Sequence, residues 1–361
     1  MIQRVAVIGA GTMGAGISQL CAQSGFSVKL HDALPKVLET AQKRLRDGFD
    51  AAVLKGKLTT MQAERALGSI SVCAKLEEAA GADLVIEAAS EDLFIKRKIF
   101  AELDKACPDA ILATNTSSLS VADIAQGVKD PSRVLGMHFF NPPVAMKLVE
   151  MIRAPGTSPE VFHGAWDFVL VGLRKTPVDV KDTPGFIVNR VMRPYYVEAQ
   201  RCLADGVGIT QLDTVARGTG GVPMGPFELM DLIGLDVNFS ITQSIYMALG
   251  RPERFIPPAL QQKLVEAGCL GRKAGKGFYL YEGGKPAGEN PLAGGKACTF
   301  SPEEGWRRVI GAVIAEAELA LKEGVAGKGD IDTAIKLAMN FPRGPFEWQK
   351  RSDESTAKPS R

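Results

Sequence analysis

Three short polar runs in this chain hold residue types that can do chemistry together. His138 opens His-Phe-Phe-Asn-Pro-Pro, Glu150 lies twelve residues later inside Met-Lys-Leu-Val-Glu-Met, and Ser117 sits upstream in Asn-Thr-Ser-Ser-Leu. An imidazole titrates near neutrality, so it can take a hydroxyl proton while a hydride leaves the same carbon. A carboxylate behind the ring would select its tautomer and balance the imidazolium that forms. The chain has only three histidines. His31 precedes an acid with another task, His163 falls in a helical, surface-like stretch, and His138 is therefore the candidate base. Spacing alone leaves blander readings open: a structural histidine, a Glu150 paired at the surface with Lys147, and a Ser117 that makes a turn or caps a helix.

These residues need a scaffold that brings them to a cofactor. Val5-Ala-Val-Ile is a short apolar β-prone run that ends in Gly-Ala-Gly-Thr-Met-Gly, followed by a helical stretch and a second apolar run ending at Asp32. Gly9 permits the tight turn out of the strand, Gly11 lets the backbone approach a pyrophosphate, and Gly14 lets the helix pack closely on the sheet. Thr12 and Met13 complete the turn, whose helix N-terminus faces negative phosphates. Asp32, 18 residues past Gly14, is placed to accept hydrogen bonds from a ribose 2′-hydroxyl and would repel a 2′-phosphate, which favours NAD over NADP. Further apolar runs at 83–87, 111–114 and 134–137 read as buried parallel strands. The expectation is an α/β Rossmann-type doubly wound sheet over residues 1–181, with the polar runs beyond its strand ends.

Composition excludes several classes. Forty-three basic against 41 acidic residues leave a net charge of +2, which offers no electrostatic footprint for nucleic acid. No apolar run approaches the ~20 residues of a membrane span. The six cysteines are scattered, with no C-x-x-C pair and no histidine at zinc-ligand spacing, so reduced thiols and no metal are expected. With no signal-like segment read at its start, the chain is expected to be cytoplasmic.

Taken together and in this order, TNTSSL, HFFNPP, MKLVE and DTPGFIVNR behind the glycine turn resemble the L-3-hydroxyacyl-CoA dehydrogenase family. Gly225-Pro-Phe-Glu and the run Gly271–Tyr279 extend the resemblance across roughly residues 1–283. The resemblance implies reversible oxidation of (S)-3-hydroxyacyl-CoA to 3-oxoacyl-CoA by NAD. It implies that His138 is the general base and Glu150 its carboxylate partner, and that Ser117 and Asn189 bond the reacting oxygen and help seat the thioester. Glu91, Lys96, Ser117 and Lys273 fall at further cofactor contacts, and Lys55 at the coenzyme A phosphates. Short-chain 3-hydroxybutyryl and dicarboxylic 3-hydroxyadipyl groups are the expected acyl classes, separable by a Lys or Arg at the far end of the pocket. Two rival readings stand beside this one: an NAD-dependent dehydrogenase of a free hydroxy or sugar acid, and a non-catalytic NAD-binding protein.

The second half reads as helical. Asp182-Thr-Pro is a helix-start signal, and an apolar stripe from Val188 to Leu203 keeps helical spacing in a domain expected over 182–282. A Gly- and Pro-rich linker follows over 283–300, then a partial repeat over 301–350 and a polar tail, read as disordered, over 351–361. In the repeat, the stripe beginning at Trp306 reproduces the first one 118 residues later, and Gly344-Pro-Phe-Glu echoes Gly225-Pro-Phe-Glu. Asn189 corresponds to Arg307, so the repeat is read as structural. Single-copy members of the family dimerise through the helical domain. This chain is accordingly expected to be a homodimer or a pseudo-symmetric monomer.

Overall fold

A computed structural model describes residues 2–294 and 301–356, with side chains described up to 350. The chain forms two compact units, Met1–Phe186 and Ile187–Arg361.

The first unit is built on eight strands: β1 (Arg4–Ile8), β2 (Ser27–His31), β3 (Ile70–Cys73), β4 (Leu84–Glu87), β5 (Ile111–Thr114), β6 (Val134–Phe139), β7 (Leu148–Arg153) and β8 (Thr176–Lys181). Between them run α1 (Thr12–Gln23), α2 (Pro35–Leu54), α3 (Thr60–Gly68), α4 (Leu93–Ala106), α5 (Val121–Ala125) and α6 (Pro159–Asp167). The strand order is β3-β2-β1-β4-β5-β6-β7-β8. The β6–β7 pair is antiparallel and the other pairs are parallel. β1 lies between β2 and β4, so the order reverses there and opens a crevice beyond the strand ends. Val5, Val7, Leu84 and Ile86 are essentially inaccessible, as continuous apolar runs in a covered sheet should be.

The second unit contains α7 (Val188–Val191), α8 (Arg193–Ala204), α9 (Ile209–Gly218), α10 (Pro226–Ile233), α11 (Leu235–Ala248), α12 (Ala259–Glu266), α13 (Pro302–Lys322), α14 (Lys328–Met339) and α15 (Pro345–Thr356). It also holds an antiparallel hairpin of β9 (Tyr279–Glu282) and β10 (Lys285–Glu289).

Four sequence expectations shift. The helix expected from Asp182 begins at Val188, and the units divide after Phe186 rather than after 181. Asp182 instead accepts the backbone N–H groups of Val121 (3.0 Å) and Ala122 (2.8 Å), capping α5 from a distance of sixty residues. The linker expected from 283 is in part β10, because its backbone groups find partners in β9. Of the tail, residues through Thr356 continue α15, and the rest lies outside the described residues.

The two helical copies meet through reciprocal pairs. Arg190 Nε and Nη1 lie 2.7 Å from Glu316 and 2.7 Å from Glu323. Arg308, 118 positions after Arg190, pairs with Glu198 and lies 2.6 Å from Asp205, the counterparts of those two acids. The Gly-Pro-Phe-Glu echo has a shared mechanical cause. Asp213 accepts the N–H of Phe227 at 3.0 Å, and Asp332 that of Phe346 at 2.9 Å. A Cβ on Gly225 or on Gly344 would stand 2.2 Å from the carboxylate of its aspartate, so each helix start requires glycine.

Candidate active site

The glycine turn has the geometry its residue types imply. Gly9 has φ +97°, and a Cβ there would lie 2.6 Å from the Ala88 carbonyl oxygen. A Cβ on Gly14 would fall 1.7 Å from the Gly9 oxygen, whereas one on Gly11 meets no atom within 4 Å. Packing within the chain therefore does not require glycine at position 11. α1 starts at Thr12 with no side-chain cap and no acid in its first turn, the arrangement in which helix N-terminal N–H groups can receive an anion. Thr12 is exposed there and Met13 half-buried. Asp32 follows β2 and accepts the N–H of Ala10 at 2.8 Å and of Leu34 at 3.0 Å, which braces the turn against its own loop. These features fit the pyrophosphate and ribose of NAD.

This fit makes two glycine variants diverge. Gly14→Ala should destabilise the fold by about 1–3 kcal/mol, since backbone must move to admit the methyl. Gly11→Ala should melt like the parent yet bind NADH at least ~10-fold more weakly. Thermal melts paired with NADH fluorescence titrations separate the two effects.

His138 and Glu150 face each other across β6 and β7, in direct register. His138 Nδ1 lies 2.6 Å from Glu150 Oε2; Glu150 is fully buried and His138 is 6% exposed. The antiparallel register brings residues twelve apart into one pair, so Glu150 is no surface partner of Lys147. With Nδ1–H donating to the carboxylate, Nε2 keeps a lone pair and can act as a base. The rings of Phe140 and Phe186 stand 4.6 and 5.7 Å from the imidazole. Pro143, just past β6, packs on α1 so tightly that a Cβ at Gly16 would lie 2.8 Å from it. The loop after His138 therefore rests on the helix that follows the glycine turn.

Ser117 is held by Glu91, whose Oε1 accepts from Thr116 Oγ1 (2.8 Å), Ser117 N (2.8 Å) and Ser117 Oγ (3.0 Å), and from Ser118 N (3.0 Å). Burial opposes the charge on Glu91, but Lys96 and these donors outweigh it and hold the carboxyl below its ordinary range. Lys96 itself is 1% exposed, with its ammonium 2.7 Å from Glu87 and 3.6 Å from Glu91. Glu87 is also bonded by Thr114 at 2.7 Å. Lys96 thus meets two acids, one ending β4 and one shaping the serine loop.

Asn189 and Lys273 belong to the second unit. Asn189 lies on α7, and its carbonyl accepts from Arg193 Nε at 2.8 Å. Lys273 Nζ is 2.7 Å from both oxygens of Asp236. Lys55 is exposed just past α2. Two positioning residues escaped sequence reasoning. Asn115 accepts the N–H of Phe139 at 2.8 Å, tying the serine loop to the strand that carries His138, and Glu87 anchors Lys96. An asparagine beginning a polar run after a strand was the only signal for the first. Among the described residues no group of three or more His, Cys, Asp or Glu could hold a metal ion, and no helix is long and apolar enough to cross a membrane.

Comparison with known proteins agrees with this geometry. The family model described as 3-hydroxyacyl-CoA dehydrogenase, NAD binding domain, matches residues 4–183. The one described as 3-hydroxyacyl-CoA dehydrogenase, C-terminal domain, matches 185–281 and 306–358. A 3-hydroxyadipyl-CoA dehydrogenase of Escherichia coli is 37% identical over 96% of this chain and 90% of its own length. A probable 3-hydroxybutyryl-CoA dehydrogenase of Bacillus subtilis is 43% identical over 78% of this chain and 98% of its own. The crystal structure of a 3-hydroxybutyryl-CoA dehydrogenase from Escherichia coli superposes with a TM-score of 0.90 at 35% identity, covering 98% of this chain and 92% of that one. With a glycine turn that fits NAD, a buried His–Glu pair on the same sheet and both family models matched in order, this chain belongs to the 3-hydroxyacyl-CoA dehydrogenase family.

Proposed function

We propose that the protein catalyses the reversible, NAD-dependent oxidation of (S)-3-hydroxyacyl-CoA to 3-oxoacyl-CoA, with a short or a dicarboxylic acyl chain. The observation that carries this reading is the His138–Glu150 pair at 2.6 Å, buried one strand from the serine loop of a nucleotide-binding sheet. Bound NAD supplies the hydride acceptor. His138 Nε2 takes the proton of the 3-hydroxyl as that carbon becomes a carbonyl, and Glu150 balances the charge the ring acquires. Ser117, oriented by Glu91, is assigned to the reacting oxygen, and Asn189 of the second unit is assigned to the same task by its match to the family motif. Gly9, Gly11, Thr12, Met13, Gly14 and Asp32 are assigned to the cofactor, with Glu91, Lys96 and Lys273 as further candidates, and Lys55 is a candidate for the coenzyme A phosphates of the substrate.

The repeat and its relation to the first helical copy support a monomer. A two-fold interface is self-complementary: each residue meets its counterpart's partner. The Arg190 and Arg308 pairs have that form within one chain, so the self-pairing face is already occupied. The assignment is a cofactor domain through 186, a first helical copy over 187–294 and a docked, structural copy from 301; Arg307, the counterpart of Asn189, is exposed. Cys21, Cys73, Cys107, Cys202 and Cys269 are free and buried, which suits a reducing, cytoplasmic setting.

The test is NADH consumption with acetoacetyl-CoA, free acetoacetate and a sugar-derived keto acid. Turnover confined to the thioester is expected. Turnover of the free acids alone would replace this reading with that of a hydroxy-acid dehydrogenase, and NADH binding without any turnover would favour a binding role.

A further inference from the structure

Resting on the reading above, we infer that Arg193 is a specificity-determining residue that receives the far carboxylate of a dicarboxylic acyl chain. Arg193 opens α8 and is 2% exposed, yet among the described residues it has no acidic partner. Its Nε donates to the Asn189 carbonyl at 2.8 Å, and its Nη1 to the Asn238 carbonyl and to Thr242 Oγ1, both at 3.2 Å. The guanidinium carbon stands 4.8 Å from the Tyr196 ring centroid. Arg190, three residues earlier, is buried to the same degree but meets Glu316 and Glu323. Two buried arginines on successive turns thus have opposite bookkeeping, one neutralised by the chain and one left cationic. Burial brings Arg193 down to about 10, so it remains charged at neutral pH. Neutral acceptors take its hydrogen bonds but leave the charge uncompensated, the condition that an incoming anion relieves.

A second observation points to the same ligand chemistry. Asn238, whose carbonyl the guanidinium touches, is fully buried, and its Nδ2 has no partner. The orientation of that amide is set by a chain of side-chain bonds. Gln261 Nε2 donates to the Leu235 carbonyl (3.0 Å) and to Asn238 Oδ1 (3.1 Å). Gln200 Nε2 donates to Gln261 Oε1 (3.0 Å) and to the Tyr196 carbonyl (3.3 Å). Because the Leu235 and Tyr196 carbonyls require N–H donors, neither glutamine can be flipped without losing a bond, and the Asn238 NH2 is turned away from Gln261. The other end of the relay, Gln200 Oε1, is likewise without a partner. A charged donor and an orphaned amide donor on touching residues match a carboxylate, whose two oxygens accept from both.

The spacing suits a particular length. Arg193 Nε lies 2.8 Å from the Asn189 carbonyl, so the guanidinium sits next to the residue assigned to the C3 oxygen. In a six-carbon dicarboxylic acyl chain the terminal carboxyl carbon lies three bonds past C3, roughly 4 Å in extension. A butyryl chain stops one carbon past C3 and brings no charge.

The experiment compares kcat/KM for 3-hydroxyadipyl-CoA and 3-hydroxybutyryl-CoA in the parent, Arg193→Met and Arg193→Lys. The readout is the ratio of the two, so a general loss of activity cancels. The parent should prefer the dicarboxylic thioester, and Arg193→Met should lower the ratio by about 30-fold or more, mostly through KM, with Arg193→Lys between them. Equal losses on both substrates, or a parent that prefers the butyryl group, would overturn the assignment. Should Arg193→Met not fold, inhibition of the parent by adipyl-CoA and by hexanoyl-CoA decides the matter. Tighter binding of the first, by ~10-fold, is expected, and equal binding overturns the role of Arg193. Absence of turnover with both thioesters would instead bring down the dehydrogenase reading and this inference with it.

Discussion

His138→Gln is expected to lower kcat for thioester reduction by about 10²–10⁴-fold while NADH affinity and the melting temperature stay close to those of the parent. Glutamine nearly fills the space of the ring and can still donate to Glu150, so the buried carboxylate keeps a partner. What it lacks is a nitrogen that can release and accept a proton. The reduction assay probes this step directly, because His138 must then give its proton to the carbonyl oxygen. Glu150→Gln provides the complementary case. Its amide can donate to Nδ1, which forces the hydrogen of the neutral ring onto Nε2 and removes the lone pair the oxidation needs. Because both directions pass through one transition state, kcat/KM should fall by the same factor in oxidation and reduction, about 10²-fold or more. Small losses in both directions would show that the pair is structural. Stopped-flow measurement of NADH formation and consumption in both directions makes the comparison.

Arg190→Met should destabilise the protein by about 2–4 kcal/mol. Arg190 and Glu316 are each 1% exposed, and removing one partner of a buried pair leaves the other charge without compensation. Arg254 also reaches Glu316 but is 38% exposed, which puts the loss below the usual ceiling for such a change. The pseudo-equivalent variant, Arg308→Met, removes a guanidinium that is 38% exposed from Glu198 and Asp205, and should cost only about 1 kcal/mol. Denaturant melts read the two energies. Light scattering on the same samples reads mass, with one chain expected for the parent. A stable parent dimer would overturn the monomer assignment. If Arg190→Met also frees the first copy from the second, its self-complementary face becomes available and dimers should appear at high protein concentration.

The two pairs show how far sequence reasoning reaches. That His138 and Glu150 belong together follows from the types and from a family motif, which leave MKLVEM without an assigned element. Its antiparallel return beside β6 is what sets the side chains opposite each other. That the second helical copy must dock somewhere followed from its apolar stripe. That it docks through Arg190 and Glu316, 126 residues apart, did not.

What the sequence by itself determined was local. The glycine turn is legible because its demands, a positive φ at Gly9 and no side chain at Gly14, are properties of residue type within one short window. The same holds for the apolar runs of the sheet and for the helical stripe, since strand and helix periods are written in neighbouring residues. Tertiary structure decided whatever depended on partners far along the chain. Asp182 reads as the start of its own helix and instead caps α5. Lys96, which the resemblance places near the cofactor, is anchored on Glu87 at the end of β4. Nothing in the helical stripe marks Arg193 as buried, yet it is 2% exposed and meets no acid among the described residues. A charged or polar side chain can be satisfied by many partners, and only the fold selects which one is within 3 Å, or whether any is.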